Sequence, residues 1–219
     1  MVDLRLYALL DPERAGGHDL AALGRDVVAG GATLLQLRDK HGSTRRLIEE
    51  TRAIKAALAG SGVPVLVNDR VDVALAAGAD GVHVGQDDMP AADARRLLGR
   101  SAVIGLSVKT IAEAQAAPLE ALDYVCVGGV FVTTSKDNAS APIGVAGLKN
   151  LLAALRARAP DFPIGAIAGI DETNAGEVVC AGADGVAVIS ALSLAPDPTD
   201  AARRLRGIVD NSLRARGAS

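Results

Sequence analysis

The feature that most constrains this chain is an alternation. Short β-branched runs recur between longer Ala/Leu/Arg-rich segments with helical spacing, the pattern of a parallel sheet joined by crossover helices. The pattern predicts strands at Arg5–Leu10, Thr33–Leu37, Pro64–Val67, Gly81–Val84, Val103–Leu106, Tyr124–Val127, Ile164–Ile167 and Val186–Ile189. A set of this size closes into a (β/α)8, or TIM, barrel. The other candidate is an open doubly wound sheet, whose Gly-x-Gly-x-x-Gly fingerprint does not follow the first strand here. At 219 residues the chain suits one barrel domain spanning 1–219.

Composition narrows the function. Net charge is −3 and aromatic residues make up 2%, so the basic field and stacking surface of a nucleic-acid binder are both missing. No apolar run has the length of a membrane span, and Met1-Val2-Asp3-Leu4-Arg5 lacks the basic start of a secretory signal; both favour the cytoplasm. Cys126 and Cys180 lie in apolar segments without a Cys/His cluster, which predicts buried, unbridged thiols.

The two ends of the predicted strands differ in chemistry. Ala-Gly-Ala-Asp-Gly-Val occurs at 77–82 and again at 181–186, with Ala-Gly-Gly-Ala-Thr-Leu at 29–34 as a weaker relative. Each lies where a helix gives way to a strand, and glycine there is expected to close the helix in the left-handed conformation. The C-terminal strand ends, where barrels carry their active sites, hold amides, hydroxyls, acids and cations instead.

Gln36, Arg38 and Lys40 are two apart and would project to one side of an extended segment, giving an anion site; a solvated charged turn is the alternative. Asn68-Asp69 and Asp87-Asp88 end neighbouring strands. Asp69 with Asp88 would suit Mg2+ held against a diphosphate, whereas a helix N-cap and an acidic turn are the simpler readings of each pair alone. Residues 128–136 combine glycines, hydroxyls and Lys136 in the manner of an anion cradle without the order of a Walker loop. Gly169 and the Ile189-Ser190 pair follow the last two strands, where barrel enzymes often hold phosphate on backbone N–H groups.

Taken in order, Gln36 to Lys40, Asn68-Asp69, Val82 to Asp88, Gly105-Leu106-Ser107, Thr133 to Lys136 and Val188-Ile189-Ser190 resemble the thiamine-phosphate synthase (thiamine-phosphate pyrophosphorylase) family over nearly the whole chain. The resemblance implies a (β/α)8 transferase that joins hydroxymethylpyrimidine diphosphate to hydroxyethylthiazole phosphate with Mg2+, releasing diphosphate and giving thiamine phosphate. It assigns Asp69 and Asp88 to the metal, and Arg38, Lys40, Asn68, Ser107 and Lys136 to the pyrimidine diphosphate. Of these, Arg38, Ser107 and Lys136 would carry the catalytic stabilisation. It assigns Gln36 to the pyrimidine, and Thr133, Ser135, Gly169, Ile189 and Ser190 to the thiazole phosphate. His83 falls on the family's strand-borne histidine, where a hydrogen-bonded core role and a catalytic role both remain open.

The chain departs from the family where Gly-Pro-Ile-Phe/Tyr-Pro-Thr is usual: Gly128-Gly129-Val130-Phe131-Val132-Thr133 has neither proline. Two other functions would suit such a barrel, a thiazole tautomerase-type paralogue and a non-catalytic thiamine-phosphate-binding regulator. The joint presence of Arg38, Asp69, Asp88 and Lys136 favours the synthase. Oligomeric state is not encoded in any recognisable motif.

Overall fold

The computed structural model describes residues 1–133 and 141–218. Eight parallel strands close into a barrel in chain order: β1 (Leu6–Leu10), β2 (Leu34–Leu37), β3 (Val65–Asn68), β4 (Gly81–Val84), β5 (Val103–Val108), β6 (Tyr124–Gly128), β7 (Ile164–Ile167) and β8 (Gly185–Val188), with β8 pairing back to β1. Each predicted strand is present; β4 and β7 have the predicted bounds, and the other six differ by a residue or two at one end or both. The surrounding helices are α1 (Leu20–Ala29), α2 (Thr44–Ala57), α3 (Val71–Ala77), α4 (Ala91–Leu98), α5 (Ile111–Ala116), α6 (Gly144–Arg158), α7 (Ala175–Cys180), α8 (Ser190–Ser193) and α9 (Pro198–Gly217). No helix among the described residues is long and apolar enough to cross a membrane.

Sequence chemistry sets the helix starts. Asp19, Ser43, Thr110 and Asp197 each accept a backbone N–H from the first turn that follows, and Pro198 supplies a preset φ at the start of α9. Strand residues facing outward, such as Leu35, Val67 and Val82, pack beneath the helices, while Leu9, Leu34, Leu66, Tyr7 and Tyr124 fill the barrel itself. Burial on both faces explains why the strands read as near-continuous apolar runs.

The bottom of the barrel is tied by a recurring clamp. The residue just before each even strand accepts, through its side chain, the N–H at the start of the preceding odd strand: Thr33 from Leu6 (3.1 Å), Asp80 from Val65 (2.8 Å), Asp123 from Ile104 (2.7 Å) and Asp184 from Ile164 (2.9 Å). A helix-borne cation neutralises each acid: Lys55 with Asp80, Arg95 with Asp123, and Arg156 and Arg216 with Asp184. The repeated Ala-Gly-Ala-Asp-Gly-Val therefore owes as much to its aspartate as to its glycine.

The glycines of the repeated lead-in close their helices as expected: Gly31, Gly78 and Gly182 each take a positive φ just past α1, α3 and α7, and their N–H groups bond back to the Val28, Leu75 and Val179 carbonyls. One expectation needs correction. Cys126 is buried and unbridged as expected, whereas Cys180 is exposed. Val178 and Val179 take the buried face of α7, and Cys180 falls on the side turned to solvent.

Candidate active site

The C-terminal strand ends open onto a cleft of about 690 Å3. Gln36 and Arg38 come from β2 and its end, Asn68 and Asp69 from β3, His83 and Asp88 from β4 and its loop, and Ser107 from β5; all of them line it, together with Lys40. The pleat of β2 puts Gln36 on the inner side, and Arg38, whose N–H still bonds the Leu10 carbonyl, continues it; the strand stops at Leu37, so Lys40 reaches the mouth from the bend that follows. Gln36 is fully buried, Arg38 is nearly so, and Lys40 is half exposed at the rim.

Arg38 is held by Asp11, a buried carboxylate at the end of β1 that also caps the short turn at Pro12–Arg14. The pair fixes one edge of the guanidinium. Lys40 bonds Asp69 across the mouth. Asp69 has φ of 60°, an uncommon backbone state that Asp tolerates better than most residues. It does not cap α3, whose N-cap is Arg70 without a side-chain bond. The simpler helix-cap reading of Asn68-Asp69 therefore fails.

Asp88 turns inward where Asp87 stays exposed, and its carboxylate accepts the Gly85 N–H at 2.7 Å. Burial, then hydrogen bonding with Asp69, holds the Asp88 carboxyl above the usual range. The Asp69 and Asp88 carboxylates thus meet at one point of the mouth, a pair that calls for a cation. Among the described residues no cluster of three or more His, Cys, Asp or Glu forms a metal cage. Two hard oxygen donors beside an open cleft fit a cation that completes its shell with water and ligand oxygens.

A second cleft, of about 440 Å3, adjoins the first through shared Ile167 and Ala168. Thr133, Gly169, Ile189 and Ser190 line it. Gly169 has φ of 65°, and a Cβ there would lie 2.4 Å from the Val132 carbonyl oxygen. Only glycine lets the two loops approach this closely. Ser135 and Lys136 lie outside the described residues.

Three residues of the site escaped the sequence reading. Tyr7 and Tyr124 stand inside the barrel behind His83 and Gln36, and Asp11 stands behind Arg38. An inward tyrosine reads as core packing and Asp11-Pro12 as a turn; the available signal was that Asp11, like the residues singled out, directly follows a strand.

A barrel whose mouth joins a carboxylate pair, basic side chains and a glycine-lined second cleft is a (β/α)8 enzyme organised for phosphorylated ligands. The chain belongs to the thiamine monophosphate synthase family, whose profile matches residues 6–192. It is 53% identical to the thiamine-phosphate synthase of Agrobacterium fabrum over 98% of both chains, and 49% identical to that of Chloroflexus aurantiacus over 95% of this chain and 94% of that one. Among solved structures, it superposes on a thiamine phosphate pyrophosphorylase from Pyrococcus furiosus with a TM-score of 0.82 and 35% identity, covering 97% and 98% of the two chains. A Mycobacterium tuberculosis tryptophan synthase, at 18% identity and a TM-score of 0.68, shares the fold. Family and relatives make the chain a transferase.

Proposed function

We propose that residues 1–219 act as one synthase domain that joins hydroxymethylpyrimidine diphosphate to hydroxyethylthiazole phosphate, with the diphosphate in the larger cleft and the thiazole phosphate in the smaller. The observation that carries this reading is the adjacency of two clefts of different chemistry, one with paired carboxylates and cations, the other with glycine, hydroxyl and backbone groups. A thiazole tautomerase would have no use for the first. We place the reaction in the cytoplasm as part of the same reading.

Chemically, the C–O bond between the pyrimidine methylene and the diphosphate breaks, and the diphosphate departs with the electron pair. The aminopyrimidine ring stabilises the electron-poor methylene, and the thiazole nitrogen lone pair forms the new C–N bond. No protein nucleophile is needed. Mg2+ held by Asp69 and Asp88 would offset charge on the leaving diphosphate. Arg38, braced by Asp11, offers its fork to phosphate oxygens, while Lys40, Asn68 and Ser107 supply donors around them. Gln36 faces the pyrimidine from the barrel floor. Thr133, Gly169, Ile189 and Ser190 receive the thiazole phosphate, and the family resemblance adds Ser135 and Lys136.

Purified protein given both substrates and Mg2+ is expected to release diphosphate and form thiamine phosphate in equal amounts. Binding of both substrates with no diphosphate released would overturn the synthase reading in favour of a regulatory barrel.

A further inference from the structure

Behind the larger cleft, five side chains form a continuous hydrogen-bonded file. Gln36 Nε2 donates to Tyr7 Oη. Tyr7 Oη and Tyr124 Oη are 2.9 Å apart, Tyr124 Oη is 2.9 Å from His83 Nδ1, and His83 Nε2 is 2.9 Å from Ser107 Oγ at the mouth. Gln36, Tyr7, Tyr124 and His83 are all buried. The file is built into the fold: Gly105 lies opposite Tyr124 in the β5–β6 register, and a Cβ on it would fall 2.1 Å from the ring and 2.4 Å from the hydroxyl.

Proton counting gives the file a direction. A phenol has one proton to donate. Burial raises the pKa of both tyrosines, so both hydroxyls keep theirs. Tyr7 accepts from Gln36 and therefore donates to Tyr124, which in turn donates to His83 Nδ1. With Nδ1 accepting, the ring proton sits on Nε2 and points at Ser107 Oγ. The Ser107 proton is then left for the cleft.

We propose that Tyr7 and Tyr124 are positioning residues that lock His83 in its Nε2–H tautomer and thereby present the Ser107 hydroxyl as a donor to the leaving diphosphate. This rests on the synthase reading and extends it to two residues with no role in it so far. The opposite polarity, with the Gln36 amide reversed, would aim the Ser107 proton at His83 and show the anion only lone pairs. A second observation fits the stated direction. Gln36 Oε1 is buried with no hydrogen-bond partner among the described residues. It is an unsatisfied acceptor on a residue that lines the cleft, and an N–H of the ligand, such as the exocyclic amine of an aminopyrimidine, would satisfy it. A ligand amine on Oε1 holds Nε2 toward Tyr7, so recognition of the ring also sets the donor at the leaving group.

The test has a spectroscopic and a kinetic part. Nitrogen-15 spectra of the histidine rings at mildly alkaline pH, where imidazole is neutral, are expected to show His83 protonated on Nε2 in the wild type and a mixture of tautomers in Tyr124→Phe. Tyr124→Phe is expected to lower kcat about tenfold, the loss of one hydrogen bond to the transition state, with the KM for the thiazole phosphate unchanged. In a Ser107→Ala background the same substitution should cost nothing further, because Tyr124 acts through Ser107. A wild-type His83 protonated on Nδ1 would overturn the proposal, and so would an equal loss from Tyr124→Phe in both backgrounds. If Tyr124→Phe does not fold, Tyr7→Phe and the wild-type spectrum decide. A wild type without turnover removes the synthase reading, and the tautomer still decides the polarity of the file.

Discussion

Two carboxylates that face one another weaken a fold unless something positive joins them. Asp69 bonds Lys40 directly, whereas Asp88 is partly buried against the Asp69 carboxyl, with one backbone N–H and the charge of Lys40 as its compensation, and its proton is held to higher pH in the folded state than in the unfolded chain. The folded state therefore binds more protons across that window, and this site's contribution to stability falls as pH rises through the Asp88 titration. Asp88→Asn should accordingly raise Tm at neutral pH in the presence of a chelator, while raising the Mg2+ concentration needed for activity. Asp69→Asn should shift the Mg2+ requirement the same way, and Asp87→Asn should not. Unchanged Mg2+ titrations for both Asp69→Asn and Asp88→Asn would remove the metal from this pair. The pair was legible because acids at neighbouring strand ends are conspicuous in a chain. Tyr7, Tyr124 and Asp11 were not, because an aromatic ring or a buried carboxylate announces its role only through the partner it meets across the barrel.

Among the described loops, the turn after β7 is tightly constrained. Ala168 and Gly169 both have positive φ, at 90° and 65°, where the chain passes under the Phe131–Val132 backbone. Gly169→Ala is expected to raise the KM for the thiazole phosphate at least tenfold and to destabilise the protein by about 1–3 kcal/mol, through left-handed strain and the close contact with Val132. Chemical denaturation and steady-state kinetics with each substrate varied in turn would measure both. An effect on the pyrimidine diphosphate alone would mean that the smaller cleft is misassigned. The strands could be read from sequence because burial on both faces leaves a run of apolar residues bounded by polar ones. Their repeated lead-in was harder. Its glycines attracted a backbone explanation, while the aspartate two residues after each glycine, which ties one strand to the previous one, looks like any acid in a turn.

Across the molecule the two ends of the barrel divide the labour. Clamps and their cations gather at the bottom, and clefts, acids and donors at the top. Asp184→Ala should lower stability by about 1–3 kcal/mol, since it strips the Ile164 N–H of its acceptor and Arg156 and Arg216 of their shared partner. Its kcat at a temperature where the protein stays folded should match wild type; a comparable loss of turnover would show that the ends are coupled. The tyrosine pair has one more consequence for the molecule as a whole. The chain contains two tyrosines and no tryptophan, and both tyrosines belong to the file behind the cleft. Its near-ultraviolet absorption and circular dichroism are therefore dominated by chromophores behind the larger cleft. A ligand seated in that cleft is expected to change the circular dichroism of the two buried tyrosines with no label, against a protein background of two weakly absorbing phenylalanines.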